Sequence, residues 1–242
     1  RDRSPSRGLG DVYKRQEQRL NAGKLTFRVT ERIYREGQWK AISPKGLYHK
    51  YKEHIRYRNA PAYLLCAGAY VASDFRLIHA YPGKKLKFGY FPELRTYEGD
   101  ALWEKKRKDG IDIIFAGRFI PLKHPEYMIR LAADLKKLWE EGQSKEDTEA
   151  AFPQVLIHMA GSGQMEEELQ QMAKDLQVEK EVIFYGFQSP AAVRDRMEQS
   201  HIMVFPSNHL EGWGAVVNEA MNSGCAVVAC EQAGAVPYLI KN

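Results

Sequence analysis

The chain has 242 residues, of which 44% are apolar and 28% are charged, with a formal net charge of +5. These values are ordinary for a globular protein of one or two domains. No apolar run approaches the roughly 20 residues that span a bilayer, so we expect no transmembrane helix. The three cysteines lack metal-ligand spacing, which favours a reducing, cytoplasmic location.

Positive charge is concentrated at the N-terminal end. Residues 1–60 contain 16 Lys and Arg but 6 Asp and Glu. This excess favours an anionic membrane surface or a phosphate-bearing acceptor as a partner. A solvated basic face explains the same charges, because charge runs are a weak signal. We expect no nucleic-acid partner.

The first 16 residues resemble a foreign addition. Positions 11–16 read DVYKRQ, which resembles the translation of a transposon adapter used in sequencing libraries. Such a tail is left out of fold reasoning. We therefore expect the natural protein to begin upstream of this chain.

Residues 17–95 carry short strand and helix patterns. Alternating apolar and β-branched residues predict the strands, and apolar residues at helical spacing predict the helices. The polar stretch at 93–109 predicts an interdomain linker with a short helix, and we assign 96–110 to the linker. The predicted strands are 25–30, 62–66 and 86–91, and the predicted helices are 46–58 and 67–78.

From residue 111 onwards, strands and helices alternate regularly. This rhythm predicts a parallel sheet covered on both faces, with ligands bound at the carboxyl ends of the strands. Ser189 followed by Pro190 predicts a helix start, and the acidic stretch at 140–149 predicts a surface loop. The predicted strands are 111–116, 155–159, 182–185, 202–205 and 226–229; helices are expected at 125–140, 164–176, from 190 and after Gly214.

Two cations follow the strand at 111–116. Gly117-Arg118 closes this strand, and Lys123 lies five residues further on, just before a helix. Arginine binds phosphate through a bidentate fork, and lysine adds a point charge. The alternative is that both are surface cations beside a loop.

Glycines follow the next two strands. Gly161 and Gly163 separate a strand from a helix, and Gly186 ends a strand. Glycines let the backbone approach a ligand closely, although a tight turn without a ligand has the same pattern. Glu166 occupies the place of the third glycine of the dinucleotide fingerprint, which argues against a nicotinamide or flavin cofactor. We interpret His158, inside a strand, as a core histidine with satisfied hydrogen bonds.

The stretch at 206–224 joins a strand end to a helix through two glycines. Around Trp213, Gly214 and Ala215, the first N–H groups of the helix lack intrahelical partners and favour an anion. The sequence contains no Asp-x-Asp pair to hold a metal beside a diphosphate. Cationic side chains and the helix dipole would then balance that charge, which predicts metal-independent transfer.

Two carboxylates accompany this helix start. Glu211 precedes the glycines and Glu219 lies inside the helix, and both can accept hydrogen bonds from sugar hydroxyls. One alternative is a pair of solvated surface glutamates. Another is the acid and base of a glycoside hydrolase, which gives no reason for the nearby cations.

Taken in order, these motifs resemble the donor-binding half of GT-B glycosyltransferases, specifically family 4 of the retaining enzymes (glycosyl transferases group 1). Residues 20–95 resemble, less specifically, the end of the acceptor domain of polysaccharide-biosynthesis members. The resemblance implies an α/β fold of two Rossmann-like domains, the first partly present at 17–95 and the second nearly complete at 111–242. The motifs that carry it are Gly117-Arg118 with Lys123, Gly161-Ser162-Gly163, Phe184-Tyr185-Gly186, Pro206-Ser207, and Glu211 with Glu219 followed by Ala220-Met221 and Gly224.

The resemblance also implies residue roles. Arg118 and Lys123 would hold the nucleotide diphosphate. Glu211 would bind the hexose and act as the catalytic residue, and Glu219 would hydrogen-bond the ribose. The remaining donor-binding residues would be Gly117, Gly161, Gly163, Gly186, Trp213, Gly214 and Ala215.

The implied activity is transfer of a hexose from a nucleotide-diphosphate sugar to a saccharide or lipid-linked acceptor, with retention, in capsule, exopolysaccharide or lipopolysaccharide synthesis. No cofactor and no metal are expected, and the inner face of the membrane is a candidate contact. A non-catalytic sugar-nucleotide-binding subunit and a sugar-nucleotide epimerase remain alternatives. Ala226 and Tyr238 depart from the family pattern, and the chain stops before its last units, so we expect this fragment to be inactive.

Overall fold

The computed structural model describes residues 6–39, 43–143 and 152–241. The chain divides into two compact units, Arg1–Tyr90 and Phe91–Asn242. Each unit contains its own parallel sheet, of three and five strands respectively.

The first unit is built on the strand order β1-β2-β3, and both pairings are parallel. Its core joins Leu64 and Cys66 of the central strand to Phe75 and Tyr81. Its elements are α1 (Ser6–Asn21), β1 (Thr26–Thr30), α2 (Pro44–Glu53), a 3-10 turn (Ile55–Tyr57), β2 (Ala62–Ala67), α3 (Val71–Leu77) and β3 (Lys85–Phe88).

Several predicted boundaries in this unit need correction. The helix expected at 46–58 ends at Glu53, because His54 leaves helical geometry and a 3-10 turn follows. The helix expected at 67–78 begins at Val71, because β2 runs through Ala67 and Gly68 turns the backbone with φ +122. Within the predicted tail, residues 6–16 belong to α1, and residues 1–5 lie outside the described range.

The second unit has the strand order β6-β5-β4-β7-β8, with every pairing parallel. The predicted strands and the strand–helix alternation are confirmed, although boundaries move by a few residues. Its elements are α4 (Ala101–Glu104), β4 (Gly110–Ala116), a 3-10 turn (Pro121–Lys123), α5 (Glu126–Gln143), β5 (Gln154–Ala160), α6 (Glu166–Asp175), β6 (Val182–Gly186), α7 (Pro190–Gln199), β7 (Ile202–Phe205), α8 (Ala215–Asn222), β8 (Ala226–Ala229) and α9 (Val236–Leu239).

Helices cover both faces of this sheet. Alternate residues of β4 point to opposite faces. Ile113 and Phe115 pack in a core shared with α5 and α6, whereas Ile114 and Ala116 pack in a core shared with α7 and α8. The predicted N-cap is also confirmed, since Ser189 Oγ accepts a hydrogen bond from Ala192 N at 3.2 Å.

Two features of the second unit differ from the sequence expectation. The first residues of the loop expected at 140–149 are helical, because α5 continues to Gln143, and residues 144–149 lie outside the described range. The helix α9, near the end of the chain, was not predicted.

Polar bonds attach residues 91–106, which we call the strap, to α7. The carboxylate of Glu198 accepts hydrogen bonds from Arg95 Nη1 at 2.6 Å, from Tyr97 Oη at 2.7 Å and from Lys105 Nζ. Lys106 donates to the backbone oxygens of Glu198 and Ser200. The stretch predicted as a linker is therefore bonded to the second unit along much of its length.

In the part of the chain that the structure describes, no helix has the length and apolarity needed to cross a bilayer.

Candidate functional site

The strand order creates a switch point beside β4. The chain builds outward from β4 to β5 and β6 on one side, then returns to place β7 and β8 on the other. In open α/β sheets, ligands bind at the carboxyl ends of the strands at such a point. The loops at this edge follow β4 (residues 117–125), β5 (161–165) and β7 (206–214).

The β4 and β5 loops are bonded directly to each other. Gly117 N donates to Ala160 O at 3.0 Å, and Phe119 N donates to Ser162 O at 2.9 Å. A Cβ on Gly161 would lie 1.9 Å from Gly117 O, and one on Gly163 would lie 2.5 Å from Phe119 O. Both glycines therefore allow the close approach of these two loops.

The β4 and β7 loops are also joined. Asn208 N donates to Leu122 O at 2.9 Å, and Asn208 Nδ2 lies 3.1 Å from His124 Nε2. Lys123 Nζ forms an ion pair with Glu211 Oε2 at 2.6 Å. The two side chains are 14% and 16% exposed, so little solvent screens this pair.

The start of α8 is tightly fixed. Gly214 adopts φ +86, and a Cβ there would lie 2.5 Å from the ring of Phe205, so a larger residue does not fit. Trp213 is buried and its Nε1 donates to Asn218 Oδ1 at 2.9 Å. The helix begins at Ala215, and its first backbone hydrogen bond runs from Val217 N to Gly214 O at 3.0 Å, so the N–H groups of Ala215 and Val216 precede the intrahelical bonding.

A cleft of about 320 Å³ opens at this edge and brings together four of the predicted site residues. Gly117 and Arg118 contribute from β4, Gly161 from β5 and Glu219 from α8. Arg118 is exposed, and no described residue forms a hydrogen bond or ion pair with its guanidinium. The cleft thus offers an uncompensated cation at one wall and a carboxylate at another.

The carboxylate of Glu219 is half-buried. Burial raises its pKa, and the positive charge of Arg194 opposes that rise. Among the described residues, none hydrogen-bonds to this carboxylate, which leaves it able to accept from a ligand.

The other predicted site residues lie around this cleft or apart from it. Lys123 and Glu211 bond to each other, Trp213 and Gly214 support the start of α8, and Gly163 packs on Phe119. Gly186 ends β6 with φ +64, and a Cβ there would meet open space.

Sequence reasoning missed most of the apolar wall of the cleft. Phe187, Pro190, Val193 and Val216 line it together with Gln188. Phe187 is 83% exposed, and a single exposed aromatic residue is only a weak indication of a ligand contact. Asn208, which bonds the β4 and β7 loops, was also missed.

His158 behaves as the sequence suggested. Its Nδ1 lies 2.8 Å from Tyr185 Oη and its Nε2 lies 3.1 Å from Asp112 Oδ1, so both ring nitrogens have partners. Burial acts to raise the pKa of Asp112, but the hydrogen bond with His158 and the charge of Arg107 outweigh it and lower that pKa. The satisfied hydrogen bonding is therefore confirmed, but the side chain is 17% exposed, so it is only partly buried.

A parallel, doubly wound sheet with a charged cleft at its switch point defines a Rossmann-like α/β ligand-binding domain. Residues 103–242 match the family model described as "Glycosyl transferases group 1". This match covers more than half of the chain, so the protein belongs to the glycosyl transferases group 1 family.

The chain is 30% identical over 141 residues to an uncharacterized glycosyltransferase of Methanocaldococcus jannaschii, covering 54% of this chain and 32% of that protein. It is 31% identical over 123 residues to a D-inositol 3-phosphate glycosyltransferase of Gordonia bronchialis, covering 50% of this chain and 26% of that protein. The chain thus spans about a third or less of the curated relatives it matches.

Two solved structures extend the likeness of fold to nearly the whole chain. Anabaena HepE in complex with UDP has a TM-score of 0.64 at 16% identity, covering 96% of this chain and 60% of that one. The lipopolysaccharide glycosyltransferase WaaG has a TM-score of 0.59 at 14% identity, covering 99% and 69%. The GT-B glycosyltransferase fold expected from the sequence is therefore confirmed.

Proposed function

We propose that the full-length protein transfers a hexose from a nucleoside-diphosphate sugar to a saccharide or lipid-linked acceptor, with retention of configuration and without a metal. The main observation behind this proposal is that Arg118 and Glu219 line one cleft at the switch point of the sheet, in a protein that belongs to this family. A cation suits a diphosphate, and a carboxylate suits ribose hydroxyls. The UDP complex of HepE supports this class of ligand.

Each charged side chain has a role in this proposal. Arg118 binds the diphosphate, and the first N–H groups of α8 add donors beside it. Glu219 accepts hydrogen bonds from the ribose. Glu211 contacts the hexose and stabilises positive charge that develops at its anomeric carbon, while Lys123 orients that carboxylate and adds charge towards the diphosphate.

Calorimetric titration with UDP, GDP and ADP tests the donor part of the proposal on the chain as it exists. At least one nucleoside diphosphate should bind, and Arg118→Ala and Glu219→Gln should each weaken it roughly tenfold or more, because each removes a charge-assisted hydrogen bond. The matched controls are Arg130→Ala on α5 and Glu167→Gln on α6, both exposed and outside the cleft. Equal affinity in the site variants and the controls would refute the assignment.

The transfer itself is tested on the full-length gene product. Proton NMR of the glycoside gives the anomeric configuration, and an inverted product would refute retention. Turnover that is lost with EDTA and restored by a divalent cation would refute metal independence. Free epimerised sugar without an acceptor would indicate an epimerase, and nucleotide binding without any turnover would indicate a binding subunit.

We also propose that the protein contacts an anionic membrane surface through α2. This helix has no buried residue, and Leu47, Tyr48 and Tyr51 are 41%, 56% and 53% exposed. They occupy one side of the helix at positions i, i+1 and i+4, and Lys45 and Lys52 lie beside them. Exposed apolar and aromatic residues flanked by lysines suit a lipid interface.

Vesicle flotation tests this contact. The protein should float with vesicles containing phosphatidylglycerol and much less with pure phosphatidylcholine. Lys45→Glu should lower the partition coefficient by roughly fivefold or more, since each basic residue near such a surface contributes about 1 kcal/mol. Lys137→Glu, an equal charge change on α5, is the control, and an equal loss in both variants would refute a specific contact.

A further inference from the structure

Arg194 is a buried cation on α7 that faces the helix carrying Glu219. It is 6% exposed. Its Nη1 donates to the backbone oxygen of Glu93 at 3.1 Å, and its Nη2 donates to Asn222 Oδ1. Its Nε is buried and has no hydrogen-bond partner among the described residues.

The partners of Arg194 do not account for its charge. A backbone oxygen and an amide oxygen are neutral acceptors, so a neutral donor could bond to either of them. Burying a cation is costly unless a negative group compensates it. Among the described residues, no carboxylate lies within ion-pair distance of Arg194.

Glu219 is a carboxylate on which the positive charge of Arg194 acts. Asn222, which Arg194 contacts directly, follows Glu219 by three residues and therefore lies on the same side of α8. Burial raises the pKa of Glu219, and the charge of Arg194 acts against that rise. Arg194 thus favours the ionised form of a carboxylate that lines the cleft.

The other charged groups nearby are engaged elsewhere. On α7, Asp195 and Glu198 bond to Arg95 of the strap, at 2.7 and 2.6 Å. Arg118 lines the same cleft as Glu219, but it belongs to the β4 loop and is exposed. Among the described residues, Arg194 is the buried cation whose charge acts on Glu219.

Asn222 links the same arrangement to the strap. Its Oδ1 accepts from Arg95 N at 2.9 Å, and its Nδ2 donates to Arg95 O at 3.0 Å. Since Arg194 also holds the backbone oxygen of Glu93, one guanidinium joins the strap, α7 and the end of α8.

We propose that Arg194 is a positioning residue of the donor site, which keeps Glu219 ionised for the nucleotide ribose and fixes α8 against the strap. This assignment rests on the proposed function for the ribose, but the effect of Arg194 on Glu219 does not depend on a bound ligand. The two parts can therefore be measured separately.

The electrostatic part is measured in the free protein. The chain is labelled with ¹³C-glutamate, and the side-chain carboxyl signal of Glu219 is assigned by its loss in Glu219→Gln. The chemical shift of this signal is followed from pH 4 to 8, which gives the midpoint of its titration. Arg194→Gln should raise that midpoint, and Arg194→Lys, which keeps the charge, should leave it near the wild-type value. Arg196→Gln, which removes a cation two residues away on α7, is the matched control and should have no effect.

An unchanged midpoint in Arg194→Gln would overturn the proposal. If that variant does not fold, Asn222→Ala replaces it, because this change removes one of the two hydrogen bonds that hold the guanidinium while keeping its charge. The midpoint of Glu219 should then rise, and an unchanged midpoint would again overturn the proposal.

The binding part uses UDP. In Arg194→Gln the affinity for UDP should fall by a larger factor at pH 6 than at pH 8, because protonation removes the carboxylate as an acceptor for ribose. In the Glu219→Gln background, Arg194→Gln should add no pH dependence, whereas a merely structural arginine would weaken UDP equally at both pH values. If wild type does not bind UDP, the proposed function fails for that nucleotide, and the NMR midpoint still decides the role of Arg194.

Discussion

Replacing Glu198 with glutamine should destabilise the second unit in a strongly pH-dependent way. The side chain of Glu198 is 3% exposed. Burial acts to raise its pKa, but hydrogen bonds from Lys105, Tyr97 and Arg95 outweigh burial and lower that pKa to about 2. A carboxylate held this way stabilises the folded state wherever the unfolded chain would also be ionised.

The magnitude follows from linkage between protonation and folding. A carboxyl pKa of about 2 in the folded protein, against 4.5 for an unperturbed group, corresponds to about 3 kcal/mol at pH 7. Because the folded pKa is the lower one, this stabilisation is complete above pH 4.5 and is lost as the pH falls towards 2. At pH 3 about 1.5 kcal/mol should remain.

Urea denaturation followed by circular dichroism measures this difference. Wild type and Glu198→Gln should differ by about 3 kcal/mol in the free energy of unfolding at pH 7 and by about half of that at pH 3. Glu104→Gln, an exposed glutamate on the strap, is the control and should change stability little at either pH.

A Glu198→Gln loss that is equal at pH 7 and pH 3 would refute the electrostatic reasoning. Such a result would mean that shape and neutral hydrogen bonding, rather than charge, hold the strap on α7. A loss below about 1 kcal/mol at pH 7 would refute the claim that this carboxylate fixes the strap.

Three further predictions concern stability. Gly161→Ala should destabilise the fold by at least twice as much as Gly186→Ala in chemical denaturation. Gly186→Ala incurs a left-handed backbone cost of about 1 kcal/mol, whereas Gly161→Ala also places Cβ 1.9 Å from a backbone oxygen. Lys123→Met and Glu211→Gln should be coupled by about 1 kcal/mol in a double-mutant cycle, and strict additivity would show that the pair contributes nothing. Burial, together with nearby cations, lowers the pKa of His54 to about 3. The free energy of unfolding should therefore fall as the pH drops from 6.5 towards 3, and His54→Asn should remove this pH dependence in acid titrations.

The strands of the second unit were predictable because each is a short, mostly apolar run, and most of them are bounded by glycine, proline or a polar residue. Burial on both faces of a parallel sheet demands this pattern, and it leaves little freedom in where a strand such as 202–205 begins and ends. The helix boundaries of the first unit were less predictable. The start of α3 depends on the turn at Gly68, and apolar spacing contains no information about that turn.

The glycines at the sheet edge show what a motif can and cannot predict. Gly161 and Gly163 indicated a close backbone approach, and the structure contains one, but the partner is the β4 loop itself. A glycine in a motif indicates that another group approaches the backbone closely, but it does not indicate which group that is. The prediction that both residues also meet a nucleotide stays a prediction.

The bonding of the strap could not be predicted from composition. Residues 93–109 are polar and charged, which is typical of a solvated linker. The side chains that bond to them lie about 100 residues or more further along the chain, and the carboxylate of Glu198 alone accepts from Arg95 and Tyr97. Contacts of that separation depend on the complete fold, and so did the grouping of Phe187, Val193 and Val216 into one wall of the cleft.

The β4 loop constrains how this site can be redesigned. Its backbone is bonded on one side through Phe119 to the β5 loop and on the other through Leu122 to the β7 loop, within four residues. One inserted or deleted residue in that span would break at least one of these two backbone hydrogen bonds. Variants that differ in the length of this loop should therefore lose the folded arrangement of the site. Libraries that vary the side chains of Phe187 and Gln188 should keep the fold while changing the shape and polarity of the cleft.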